Sequence, residues 1–325
     1  MDVVRDLHWI PELPDGSAVT VGEFDGIHRG HRVVLSAVAH RAAVLGCPTV
    51  VVSFDRDPIL LSAPTNAPRQ LTDLDHKLEL LATAGVDLTV LIAAEYVAHA
   101  PGTDRPPTDG DAAVGRLIEE VLVERLKARA VIVGEDFNFG ERRRTSIEMF
   151  RERGGTAGFE VIEVPVSDCL TSSGDVISSM SIRRALADGD IHQANAMLGR
   201  PHELRSTVSI GDRRGRTIGF PTANLPVPLH TQLPADGVYA GWFWGEDGGR
   251  FPAAVNVGKR PTFYANSETS LVEAHLLGFR GDLYGQAARL TFIHHLRDER
   301  KFSGADELIA QLRRDADSAA SLLAI

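Results

Sequence analysis

From residue 18 to about 165, short apolar runs rich in β-branched residues alternate with longer segments of helical period. The runs are AVTV (18–21), TVVVSF (49–54), DLTVLIA (87–93), AVIVG (130–134) and FEVIEVP (159–165). Between them Val33, Val34, Ala37, Val38, Val44 and Leu45 recur on one helical face, and LTDLDHKLELLATAG (71–85) and VGRLIEEVLVERLKA (114–128) carry the same period. Strands apolar at nearly every position must be buried on two faces, and intervening helices supply the cover. The pattern predicts a Rossmann-like α/β domain built on a parallel sheet.

After about residue 186 the rhythm changes. IHQANAMLG (191–199) reads as a helix, but from Pro201 the chain breaks into the runs LRSTVSIG, GVYAGWFWG, RFPAAVNVG, SLVEAHLLG and ARLTFIHHL, separated by glycine- or proline-rich turns. Short strands at that spacing predict a compact antiparallel β-barrel. GADELIAQLRRDADSAASLLAI (304–325) closes the chain as an amphipathic helix with Ser303 as its expected N-cap. The expected division is therefore residues 1–186, a helical connector over 187–200, and a barrel over 201–325. APGTDRPPTDGD (100–111) reads as a surface loop.

Composition narrows the partners. The chain has 325 residues, 43% hydrophobic and 24% charged, with a formal net charge of −10. Such a balance argues against a nucleic-acid or anionic-membrane surface, so any phosphate binding must be local. With Cys47 and Cys169 as the only cysteines, no leader-like N-terminus and no apolar run long enough to span a bilayer, the expected location is the cytoplasm.

GEFDGIHRGH (22–31) lies between a strand-like and a helix-like segment, where an open α/β sheet binds ligands and a helix N-terminus offers N–H groups to anions. Gly22 and Gly30 let backbone approach a phosphate, Phe24 and Asp25 line the same turn, and His28 and His31 can donate to oxygens on which charge builds during phosphoryl or nucleotidyl transfer. A zinc reading is weaker, because two histidines fall short of the three protein ligands a catalytic zinc takes. In the second half, Gly211, Gly215 and Gly219 of GDRRGRTIGFPTANL can wrap phosphates, and Thr222 and Asn224, two apart on an extended segment, can reach one Mg2+ or phosphate oxygen.

These motifs carry a resemblance. GEFDGIHRGH, GEDFNFG (134–140) and ISSMSIRRAL (177–186) resemble the signatures of the bifunctional prokaryotic riboflavin kinase/FMN adenylyltransferase family, also called FAD synthetase. GFPTANL (219–225), GVYAG (237–241), VNVGKRPTF (255–263), VEAHLLGFRGDLYGQ (272–286) and LRDERKFSGADELIAQLRRD (296–315) resemble the riboflavin kinase half. The resemblance implies an ATP and FMN site with His28 and His31 on the phosphates, Ser178, Ser179 and Arg183 on the triphosphate, and Asp136 lining the flavin cleft. It also implies a kinase site in which Thr222 and Asn224 hold Mg2+ and ATP, Glu273 is the general base, and Arg297, Glu299 and Phe302 cover the flavin. The implied substrates are riboflavin, FMN and ATP. His294 and His295 read as strand-surface residues. The chain departs from the family pattern at Asp57, Met180 and Ser181. Two alternatives stay open beside this: a riboflavin kinase only, whose N-terminal half is degenerate, regulatory, or uses another nucleotide such as CTP or a flavin analogue, and a flavin-binding protein without turnover.

Overall fold

The computed structural model describes residues 1–56, 67–98, 114–135, 137, 143–166, 169–171, 174–211, 214–259 and 270–324. Its backbone packs as two units. The first holds β1 (Asp2–Val4), β2 (Ser17–Val21), α1 (Arg29–Leu45), β3 (Thr49–Phe54), α2 (Leu74–Thr83), β4 (Leu88–Ile92), α3 (Ala94–Ala98), α4 (Leu117–Arg125), β5 (Ala128–Gly134), α5 (Arg143–Ala157) and β6 (Glu160–Val164). The six strands form one parallel sheet in the order β1-β4-β3-β2-β5-β6.

Every residue of β2, β3 and β4 is buried, as their unbroken apolar runs require. Alternate side chains feed two cores. Val19, Val21, Val131 and Val133 pack with Leu117, Ile118, Val121 and Phe150 of α4 and α5. Ala18, Ala130 and Ile132 pack with Val34, Val38 and Ala42 of α1. The buried stripe of α1 is Val34, Leu35, Val38 and Ala42; Val33 and Val44, expected on that face, are exposed. α4 is wound as a π-helix, its last carbonyls taken five residues on, as in Leu126 N–H to the Val121 carbonyl at 2.9 Å. The chain runs from β2 through β3 to β4 on one side and returns to β5 on the other, so the topological switch point lies beside the carboxyl end of β2.

The second unit holds α6 (Ser179–Ala187), α7 (Ile191–Leu198), β7 (His202–Thr207), α8 (Arg214–Thr217), β8 (Ala223–Pro226), β9 (Gly237–Trp244), β10 (Arg250–Lys259), β11 (Ser270–Leu276), β12 (Ala287–Arg297) and α9 (Ala305–Leu322). Its strands pair antiparallel in the order β7-β12-β9-β10-β11-β8. The two ends of that order meet: Ser206 Oγ donates to the Pro226 carbonyl at 2.6 Å and Ser209 N–H to the Asn224 carbonyl at 2.9 Å, which nearly closes the barrel. β12 carries two register shifts against β9, at Ile293 and at Leu296, each turning the strand more sharply. α9 packs Ala319 and Leu323 on Ala240, Trp242, Ala254 and Ile293.

The units part between Ile177 and Ser178, with α6 and α7 on the barrel's side. Residues 69–73, deep in the first half of the sequence, also belong to the second unit. Gln70 pairs parallel to Thr231, donating to the His230 carbonyl at 2.6 Å and accepting from Gln232 N–H at 2.8 Å. At the C-terminal helix the expected cap is corrected: Gly304 holds the N-cap position, and Ser303 gives its N–H and hydroxyl to the Glu307 carboxylate at 2.9 and 2.7 Å. The loop expected at 100–111 lies outside the described residues.

Candidate active sites

At the carboxyl end of β2 the chain turns through Phe24 at φ 53°, Gly26 at 82° and Ile27 at 37°, then enters α1. Left-handed backbone at Phe and Ile is strained and persists only where its surroundings enforce it. Here Phe24 and Ile27 are buried against Leu35, Val51 and Leu81. Asp25 and His28 are buried too, at 3% and 4% exposure.

His28 is the N-cap of α1: its Nδ1 accepts the His31 backbone N–H at 3.3 Å. An accepting Nδ1 leaves the proton of the neutral ring on Nε2. The His31 ring stacks on it with centroids 3.6 Å apart and planes at 20°, and Phe24 lies 5.1 Å from His31. Gly22, Phe24, Asp25, His28, Gly30 and His31 therefore share one turn, with the helix N-terminus aimed where an anion would sit.

Lys77 of α2, a residue the sequence reading passed over, fastens this turn to the neighbouring strand. It is 6% exposed, and its Nζ donates to the Glu23 carbonyl at 2.9 Å and the Phe54 carbonyl at 3.4 Å. Ser53 Oγ reaches the same Glu23 carbonyl at 3.1 Å. The signal was a lysine four residues before Leu81, on the buried stripe of its helix.

The remaining residues expected at this site belong to the second unit or lie outside the described residues. Ser178 caps α6 in the second unit, in a capping box with Ser181: Ser181 N–H to Ser178 Oγ is 3.1 Å and Ser178 N–H to Ser181 Oγ is 2.9 Å. Ser179 is the first residue of α6, Met180 is 70% exposed, and Arg183 Nε donates to the Arg69 carbonyl at 2.6 Å. Asp57 and Asp136 lie outside the described residues.

The barrel carries a cavity of about 750 Å3 lined by Thr222, Asn224, Asn256, Glu273, His275, Arg297, Glu299 and Phe302 among others. Strand register explains the convergence. Glu273 of β11 stands opposite Asn224 of β8 on one side and Asn256 of β10 on the other; Asn256 stands opposite Val238 of β9, and Val238 opposite Arg297 of β12. Directly opposed residues put their side chains on the same face, so one row across five strands delivers Asn224, Glu273, Asn256 and Arg297. On β11 the neighbours Val272 and Ala274 turn into the core at 0% exposure while Glu273 and His275 face the cavity.

A second cavity of about 230 Å3 shares Gly215, Thr222 and Asn224 with the first and extends along Phe279–Tyr284. The Thr222–Asn224 segment is thus a wall common to two chambers. Gly211 is required here by close approach, since a Cβ would lie 2.5 Å from the Asn224 carboxamide atoms. Gly219 is required by its backbone, at φ 85°.

Arg297, expected over the flavin, spends its guanidinium on α9. Its Nε and Nη2 grip Asp315 at 3.0 and 2.7 Å, and Gln311 Nε2 donates to the same carboxylate at 2.7 Å. Phe302 lies 5.9 Å below the Arg297 guanidinium and 4.8 Å below that of Arg300. Glu299 sits where a Cβ on Gly258 would meet its Oε1. His294 pairs with His192 at 3.0 Å, and burial pushes its imidazole pKa down.

The sequence matches the family model described as riboflavin kinase over residues 198–323, and the one described as FAD synthetase over 10–99 and 111–181. It is similar to bifunctional riboflavin kinase/FMN adenylyltransferases of Haemophilus influenzae, 37% identical over 98% of each chain, and of Escherichia coli K12, 34% identical over 97% of this chain and 96% of that one. A Listeria monocytogenes relative of the same description is 32% identical over 91% and 89%. A crystal structure described as a macrolide-efflux protein from Streptococcus pneumoniae superposes with a TM-score of 0.78 at 26% identity, covering 98% of this chain and 97% of that one. Among the described residues no helix is long and apolar enough to cross a membrane, and efflux stays the description of that protein alone.

A parallel nucleotide-binding sheet followed by a flavokinase barrel makes this a two-domain transferase. The chain belongs to the bifunctional riboflavin kinase/FMN adenylyltransferase family.

Proposed function

We propose that the chain makes FMN from riboflavin and ATP at the barrel, and FAD from FMN and ATP at the sheet. The cross-strand row Asn224–Glu273–Asn256, which runs from the wall shared by two cavities into the larger one, is the observation that carries the kinase reading. In that reading riboflavin occupies the larger chamber and the nucleotide the smaller. The terminal ribityl hydroxyl attacks the γ-phosphorus; Glu273 takes its proton, the new O–P bond forms, and ADP leaves. The Thr222 hydroxyl and the Asn224 carboxamide oxygen are the ligand type a hard cation takes, and two protein oxygens suit an ion that keeps waters and substrate phosphates in its shell. When bound, Mg2+ offsets charge on the transferring phosphoryl group. Arg297, Glu299 and Phe302 close the flavin side.

At the sheet, a phosphate oxygen of FMN attacks the α-phosphorus of ATP and pyrophosphate departs. His28, fixed by its cap bond, presents Nε2–H, and His31 stacks behind it; both stabilise charge on the phosphate oxygens. Gly22, Phe24, Asp25 and Gly30 shape the turn. The division of labour follows the sequence limits, with residues 1–186 for nucleotidyl transfer and 201–325 for phosphorylation. We assign the cytoplasm as the location, supported by Cys47 and Cys169, both free thiols.

The test is Glu273→Gln in the full chain. Flavin binding is retained and FMN formation falls by at least about a hundred-fold, the scale of a lost general base; near-normal turnover rules out Glu273 as base.

A further inference from the structure

His275 stands two residues beyond Glu273 on β11, faces the same cavity, and has no role in the chemistry above. Its Nδ1 lies 2.8 Å from the carbonyl oxygen of Pro221. A carbonyl only accepts, so Nδ1 carries the proton, in the neutral ring and in the imidazolium alike.

The bond falls where the backbone ladder gives out. β8 pairs with β11 from Pro226↔Leu271 to Ala223↔Ala274 and no further. One step on, Thr222 would stand opposite His275, and Pro221 follows with no N–H to donate. The imidazole takes over at that point. By holding the Pro221 carbonyl it fixes the plane of the Pro221–Thr222 peptide, and with it the direction in which Thr222 leaves the strand. Phe220 steadies the imidazole, its ring 5.1 Å away at 55°. His275 and Phe220 are both half-buried, so neither is needed to fill the core.

We infer that His275 is a positioning residue of the phosphotransfer site, aiming the Thr222 hydroxyl at the phosphates through the Pro221 carbonyl. The inference rests on the kinase reading, in which Thr222 touches nucleotide.

Chemistry supplies a discriminating pair of variants. In Asn, as in His Nδ1, the donor nitrogen is bonded to Cγ, so His275→Asn places an N–H close to the native one. His275→Gln moves it one bond outward. Full-length protein is assayed for FMN formation with MgATP and riboflavin varied separately, beside wild type, H275A, H275N and H275Q. The expected result is a rise in KM for MgATP on the order of five-fold in H275A, the worth of one hydrogen bond, with KM for riboflavin unchanged. H275N recovers most of the loss and H275Q does not. An unchanged KM for MgATP in H275A, a rise confined to riboflavin, or H275Q matching H275N overturns the inference while leaving the kinase reading intact. A wild-type chain that makes no FMN overturns both, because no nucleotide is then held by Thr222.

Discussion

His28 serves two ends with one ring. Its Nδ1 caps α1, which leaves Nε2–H as the group it can turn toward phosphate. Asn is among the best N-caps, so His28→Asn keeps the helix start, with stability within about 1 kcal/mol of wild type in a urea melt. The same variant loses FAD formation because the Asn carboxamide, with its oxygen on the cap, is too short to carry an N–H to where Nε2–H stands; retained FAD formation would reduce His28 to a cap. Ser181 shows the converse. Judged against the family pattern it reads as a departure, yet it is the reciprocal partner of Ser178 in a capping box. The S-x-x-S spacing was visible in the sequence. The glycines at 22, 26 and 30 and the histidines at 28 and 31 were legible because they sit in contiguous chain, whereas Lys77, Asn256 and His275 act across strands or between elements, and no local spacing marks them.

Elements came through where a single physical demand sets them. Strands β2, β3 and β4 announce themselves by unbroken apolarity, and their burial is complete. The β12 bulges leave a trace in the sequence: LTFIHHLR breaks the two-residue period at Phe292–Ile293 and His294–His295, beside the register shifts at Ile293 and Leu296. The π winding of α4, by contrast, leaves no mark: Leu117, Ile118, Val121 and Leu122 are buried at a spacing an α-helix would also give. At the barrel's outer wall, α9 is held by a buried charge pair, Asp315 at 5% side-chain exposure and Arg297 at 20%. Removing one member leaves the other buried and unanswered, which costs about 3 kcal/mol. Arg297→Met is therefore expected to lower the urea midpoint and to weaken flavin binding, since Glu299 and Phe302 follow on the same segment; an unchanged midpoint would show that α9 docks through its apolar face alone. His202, at the start of β7, adds a pH dependence. Burial pushes its pKa down from 6.5 to about 4, and its Nε2 donates to the Gln232 carbonyl at 2.9 Å. Between those two values the unfolded chain binds the proton that the barrel refuses, so stability falls as pH drops from 6.5 toward 4, by about 3 kcal/mol in all, with no effect above that window. Urea melts at pH 7.5, 6 and 5 should show this slope in wild type and a shallower one in His202→Gln.

On the scale of the whole molecule, the change of rhythm near residue 186 marked two folds, but the chain is not simply cut there. Residues 69–73 lie within the sheet's half of the sequence and pair with 230–232 of the barrel's half. A five-residue segment of that kind has no compositional signal, because its partners are more than 150 residues away in sequence. It also means that residues 1–186 alone would lose the partners of Gln70. The two reactions are best separated in the intact chain. Full-length protein given riboflavin, ATP and Mg2+, with flavins resolved by chromatography, should form FMN and then FAD. Glu273→Gln should form neither from riboflavin yet convert supplied FMN to FAD, and His28→Asn should accumulate FMN and stop. Reciprocal loss of this kind is what two independent sites on one chain predict. If either variant abolishes both steps when FMN is supplied, or if wild type yields no FAD, the account of two transfer sites is contradicted.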